Sequence, residues 1–391
     1  RLHIIQVLYC IELAEGCVFV VRYDHIQYAA DCSFGIHCPV FYFFRINGIN
    51  KRRTLFFSRV RPNQIKRNLQ FLPRRFGLVS SNIVHVDPSN PNTIYLGAPA
   101  GGIWKSTNNG TTWTPLTDEL PQIGVSGIAV DYSNSNVIYI ATGDKDAGDS
   151  YSVGVYKSTD GGLTWNATGA LGIMNSNFRA GDILIHPTNN QILWCATSNG
   201  IYRTTNAGAS WSRVQTGNFS QGNIRLKPGD PNTLFAVNYN AFFRSTNGGT
   251  SFTQVSTGLP ATSGRFVMDV TPANPNYIYI LSAGVSPNYN FQGIYRSTDG
   301  GTTFTARNTT TNVLESSQAW FDLALAVSST NAEEIYTGCL NVWKSTNGGT
   351  SLTKINSWSN PTGPSYTHAD IHYLGFHGTK LFCGSDGGIY V

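Results

Sequence analysis

From about Val79 onward, short apolar runs such as GIAVD (127–131) and VIYIA (137–141) are separated by turns rich in Pro and Asn. Runs of that length, made of β-branched and aromatic residues and bounded by turn formers, predict strands. Six ten-residue segments punctuate them: WKSTNNGTTW from Trp104, YKSTDGGLTW from Tyr156, YRTTNAGASW from Tyr202, FRSTNGGTSF from Phe243, YRSTDGGTTF from Tyr295 and WKSTNGGTSL from Trp343. Their starts lie 52, 46, 41, 52 and 48 residues apart, a period that fits a four-stranded propeller blade and exceeds the smaller solenoid units. Each unit reads as an apolar strand, a turn, a second strand, and then the repeated segment as the hairpin between strands three and four. The pattern predicts an all-β propeller with blades starting near residues 82, 127, 182, 223, 267, 323 and 371. Six blades are complete. The seventh holds a first strand, a second strand LFCGS and the opening GGIYV of a third, so a truncated blade of a larger protein is expected there.

The repeated hairpin has its own chemistry. Asn108, Asp160, Asn206, Asn247, Asp299 and Asn347 occupy one position, where a short polar side chain can cap turn N–H groups. Two residues later stand Gly110, Gly162, Gly208, Gly249, Gly301 and Gly349, which permit a positive φ, and two residues earlier a Ser or Thr offers a further local bond. Aromatic pairs nine apart, such as Trp104 with Trp113 and Tyr202 with Trp211, are expected to pack beneath the turn. These segments resemble the Asp-box, or BNR, repeat, roughly S-x-D-x-G-x-T-W, over residues 79–391. Asp boxes occur in sialidases, xyloglucanase-type glycoside hydrolases, sortilin-type receptor domains, photosystem assembly factors and secreted bacterial surface proteins labelled glycosyl hydrolase or sortilin-like. The wording around the boxes is most similar to the last group. The resemblance implies an extracellular or cell-surface protein whose boxes are structural turns, with any site on the opposite face.

Composition separates the first 75 residues from this body. They carry 12 of the 27 Lys and Arg but 4 of the 22 Asp and Glu, and 4 of the 7 Cys but none of the 8 Trp. The overall charge of +5 therefore belongs to that segment, leaving residues 76–391 with 15 basic and 18 acidic side chains. A body of net −3 has no basic stripe for phosphates, so nucleic acid is not an expected partner. The apolar run from Ile4 to Val21 carries Glu12 and Glu15 at its centre and is not expected to span a membrane. Residues 1–75 are read as a non-repetitive basic segment, mis-called or disordered, against the alternative of a genuine basic extension. Cys195, Cys339 and Cys383 read as buried packing groups.

On the face opposite the boxes, the loops between strands two and three are long in blade 2 (TGDKDAGDSYSVG) and blade 5 (SAGVSPNYNFQG). Tyr151, Tyr289, Phe291, Trp320 and Trp358, with Tyr366 nearby, are candidates for a flat aromatic platform for sugar rings or a protein ligand. Asp144, Asp146 and Asp149 crowd three carboxylates into six residues, a candidate calcium site or a solvated acidic loop. His368, Asp370 and His372 are spaced i, i+2, i+4 and would share one face of an extended segment, as transition-metal ligands, as sugar-binding groups or as a hydrogen-bonded trio. A sialidase needs an R-I-P motif, and the nearest string, FFRING from Phe43, lacks the proline. The xyloglucanase-type family implies a D-x-G-G acid in an early blade, where this chain has Pro99 and Ala100; Asp386 in GSDGGIY is the closest match, with Asp370 as a second candidate acid. Recognition of a polysaccharide, glycoprotein or protein ligand is the expected function, and glycoside hydrolysis by paired carboxylates the enzymatic alternative.

Overall fold

The computed structural model describes the backbone of residues 8–13 and 16–21 and, further on, residues 81, 83–122, 124–146, 150–175 and 177–391. The chain divides into two compact units at Arg75 and Phe76. In the first, β1 (Leu8–Leu13) pairs antiparallel with β2 (Gly16–Val21), Leu8 opposite Val21; the rest of that unit, with Phe43 to Gly48, lies outside the described residues.

The second unit holds seven antiparallel sheets in sequence order, six of four strands and a seventh of three. Their innermost strands are β3 (Ile83–Val86), β7 (Val125–Asp131), β11 (Ala180–Ile185), β15 (Ile224–Lys227), β19 (Arg265–Val270), β23 (Ala324–Val327) and β27 (Ile371–His377). These start within two residues of the positions the repeat predicts. Each blade then runs outward strand by strand, as in β3, β4 (Ile94–Ala98), β5 (Gly102–Ser106) and β6 (Thr114–Pro115).

Alternating side chains on one strand serve two different blade interfaces. Tyr95 of β4 packs with Val125, Ile128 and Ile140 of blade 2, while its neighbours Ile94 and Leu96 pack with Phe382 of blade 7. Propeller strands are apolar on both faces for this reason, and the core consists of clusters between neighbouring blades. One such cluster joins blade 7 to blade 1, where Ser81 N also donates to Ser385 O at 3.0 Å. The three-stranded blade therefore closes the ring. The link ahead of β15 approaches β11 so closely that a Cβ on Gly181 would stand 2.1 Å from the Ser220 carbonyl oxygen, which only glycine avoids.

The repeated hairpins follow their predicted chemistry. Ser345 Oγ accepts from Gly349 N at 2.9 Å and donates to Asn347 Oδ1 at 2.9 Å, and Asn347 Oδ1 accepts from Ser351 N at 3.0 Å. All six glycines at the turn have φ between 70 and 95°. The aromatics do more than pack beneath the turn: Trp165 lies in the cluster between blades 1 and 2, its Nε1 donating to Leu116 O at 2.8 Å.

Candidate functional site

Strand order fixes which segments share a face. Turns between strands one and two and the repeated hairpins emerge on one side of the ring; loops between strands two and three and the blade links emerge on the other. On that second side, charged side chains from four blades meet at the mouth of the central channel. Arg265, first residue of β19, donates Nη2 to Asp146 Oδ1 at 2.8 Å and Nη1 to the Ala319 carbonyl at 3.2 Å. His372, second residue of β27, donates Nε2 to Asp386 Oδ1 at 2.9 Å, and its Nδ1 lies 3.4 Å from Asp146 Oδ2. The second contact is an ion pair without hydrogen-bond alignment, since Nδ1 has no bonded partner.

The electrostatics follow from this geometry. Burial opposes the charged imidazole of His372, but Asp146 and Asp386 outweigh it and hold its pKa up at about 9. Burial likewise opposes ionisation of Asp146, yet Arg265, His372 and Lys145 hold its carboxyl well below the usual range. Asp322, fully buried beside them, has no compensating cation in contact, and burial pushes it up to about 7 despite Gln318 and His372. Gln318 Nε2 donates to Asp322 Oδ2 at 3.2 Å and also to Asp370. Phe321 covers the ring of His372 edge-on, centroids 4.6 Å apart, and Trp320 lies against Phe321. Gln221 closes the arrangement, its Nε2 donating to Asp146 O at 2.9 Å and to Trp320 O at 3.0 Å, so links from three blades are tied across the mouth.

Several expectations need correction. His368, Asp370 and His372 do not share a face. Asp370 sits at φ 59°, in the left-handed region, and β27 begins only at Ile371 with a register shift before Tyr373, which breaks the extended spacing. His368 is held by local bonds, its N donating to Tyr390 Oη at 3.0 Å, and Tyr366 packs edge-on against the same tyrosine. Among the described residues no group of three or more His, Cys, Asp or Glu side chains is placed to hold a metal ion. Calcium at Asp144 and Asp146 meets a specific obstacle: the Asp146 oxygens face Arg265 and His372, cations already in place, and Asp144 Oδ1 accepts from Asp146 N at 2.9 Å. Asp149 lies outside the described residues.

Among the aromatic candidates, Tyr151, Trp320 and Trp358 are 54, 47 and 45% exposed on the loop face. Tyr289 and Phe291 instead pack against the core between blades 5 and 6. Asp386 keeps its side chain 31% exposed at the mouth, against 1% for Asp146. Arg265, Gln318 and Asp322 are absent from the sequence-based candidates. For Arg265 and Asp322 the signal is a charged residue at or just before the head of an apolar inner strand, as in RFVMDV and FDLALAV; Gln318 lies in the link before β23. Cys195, Cys339 and Cys383 are buried free thiols.

No protein-family profile matches the chain. Over 135 residues it is 33% identical to the xyloglucanase Xgh74A of Acetivibrio thermocellus, covering 32% of this chain and 16% of that one. The GH74 enzyme of Niastella koreensis superposes on 80% of this chain and 52% of its own, with a TM-score of 0.59 at 21% identity. This is a β-propeller resembling the xyloglucanase type. The propeller YCF48, solved with a D1 peptide bound, shares the fold over 81% of this chain and 91% of its own, with a TM-score of 0.55 at 17% identity. The chain spans about half the length of the GH74 structure and a sixth of the curated relative. Among the described residues no helix is long and apolar enough to cross a membrane.

Proposed function

We propose that this chain is a carbohydrate-recognition propeller, secreted or displayed at the cell surface, that binds a xyloglucan-class polysaccharide across its loop face. The repeated hairpins belong to the Asp-box class in this reading and act as turns on the far side. The observation that carries the reading is the exposure of Tyr151, Trp320 and Trp358 on one face, because aromatic rings left in water give flat apolar surfaces for sugar rings. The xyloglucanase relatives supply the ligand class.

Binding is favoured over hydrolysis by the state of the central acids. An inverting hydrolase needs a carboxylate free to activate water and an acid that reaches the glycosidic oxygen, about 6.5–9.5 Å apart. Here Asp146 is spent on Arg265 and His372, Asp322 is fully buried, and Asp386 already accepts from His372. Titration calorimetry with xyloglucan oligosaccharides, run beside a reducing-end assay, tests the proposal. Binding that weakens at least tenfold in Trp320→Ala, with no new reducing ends, is the expected result. Accumulating reducing ends that vanish in Asp386→Asn would replace recognition with hydrolysis.

A further inference from the structure

The exposed Trp320 stands on a titratable support. It sits in a tight turn in which Phe321 N and Asp322 N both donate to the Gln318 carbonyl, at 2.7 and 3.2 Å. The same glutamine ties the turn down through its side chain. Its Nε2 carries two hydrogens, and both are taken, one by Asp322 Oδ2 at 3.2 Å and one by Asp370, just ahead of β27. Asp322 is fully buried, and among the described residues its Oδ1 has no hydrogen-bond partner. One amide therefore serves two carboxyl groups, and the buried one keeps an unmatched oxygen.

That arrangement suits a neutral Asp322 and not an ionised one. A buried carboxylate lacking a donor on one oxygen costs more than the neutral acid in the same place. Ionisation would also set two negative groups on a single amide nitrogen. The groups that face Asp322 come from three directions. Gln318 on its own link, His372 of blade 7 and the Cys339 thiol of blade 6 favour the anion, whereas Asp370 opposes it and burial opposes it most. His372 is already in contact with Asp146 and Asp386, and Arg265 with Asp146 and the Ala319 carbonyl. Burial pushes the Cys339 thiol up, so it stays protonated. We infer that Asp322 gates sugar binding: the turn holds Trp320 in its binding position while Asp322 carries a proton, and releases it when Asp322 ionises and draws Gln318 away from Asp370. In this inference, which rests on the loop face binding a xyloglucan-class ligand, Asp322 is a positioning residue that acts through Gln318 without touching the sugar.

Two measurements on the full chain between pH 6 and 8, one of them without ligand, test the gate. In calorimetric titrations with a xyloglucan oligosaccharide, affinity is expected to fall roughly tenfold from pH 6 to pH 8, following the protonated fraction of a group that titrates at about 7. Asp322→Asn, neutral throughout, is expected to keep its pH 6 affinity at pH 8. Without ligand, hydrogen exchange in the segment 316–323 is expected to quicken in the wild type relative to Asp322→Asn over the same range. Affinity independent of pH, an equal fall in Asp322→Asn, or identical exchange in the two proteins would overturn the gate. Absence of binding at every pH, with the exchange difference present, would instead remove the sugar reading and leave the proton-controlled turn standing. Should Asp322→Asn fail to fold, wild-type exchange corrected for the intrinsic rates of the unfolded chain decides the matter. A step near pH 7 in that segment supports the gate, and none refutes it.

Discussion

At the scale of single residues, the channel mouth couples two groups that hold protons longer in the folded chain than outside it. Asp322 rises from an ordinary carboxyl value to about 7, chiefly through burial, and His372 rises to about 9 because two carboxylates outweigh its burial. A group with a raised folded pKa contributes stability below its unfolded pKa and loses it as pH climbs through the folded one. Asp322 therefore costs stability progressively between about pH 4 and 7, and His372 does so between about 6.5 and 9. Asp322→Asn keeps the shape and removes the titration. Its stability relative to wild type is expected to grow from pH 4 to 7 by at most roughly 4 kcal/mol, measured by chemical denaturation across that range. A difference that does not change with pH would mean that Asp322 is ionised in the folded chain. None of this is visible in the sequence, because the charges that meet Asp322 and His372 come from residues as distant as Asp146.

At the scale of the hairpin, equivalent glycines are not energetically equivalent. Gly110 and Gly249 both occupy left-handed conformations, at φ 82 and 70°, where any Cβ costs about 1 kcal/mol. A Cβ on Gly110 would find only Trp113 Cζ2, at 3.7 Å, whereas one on Gly249 would stand 2.2 Å from Nε1 of the fully buried Trp194. Overpacking against a side chain that cannot move adds about 1–3 kcal/mol. Gly249→Ala should thus destabilise the chain by clearly more than Gly110→Ala in parallel urea melts, and equal losses would show that Trp194 can yield. The hairpin itself was legible from the repeat, since its Ser, Asn or Asp and Gly act within ten residues. The neighbour behind Gly249, Trp194, belongs to the adjacent blade and was not.

For the whole molecule, strand count, blade order and inner-strand starts follow from the 41–52-residue period, because each blade is a local unit with short connections. Ring closure through Phe382 and Ser81 and the meeting of Asp146, Arg265 and His372 are products of assembly, set by the angle between blades. The i, i+2, i+4 reading of His368 to His372 failed because a left-handed Asp370 reorients the chain just before the strand. The functional account rests on which face of the ring meets the ligand. Hydrogen exchange followed by mass spectrometry, with and without a xyloglucan oligosaccharide, addresses that claim directly. Recognition through the loop face predicts slowed exchange in segments carrying Tyr151, Trp320 and Trp358, with the repeated hairpins unchanged. Protection confined to the hairpin face, or none at saturating ligand, would contradict it.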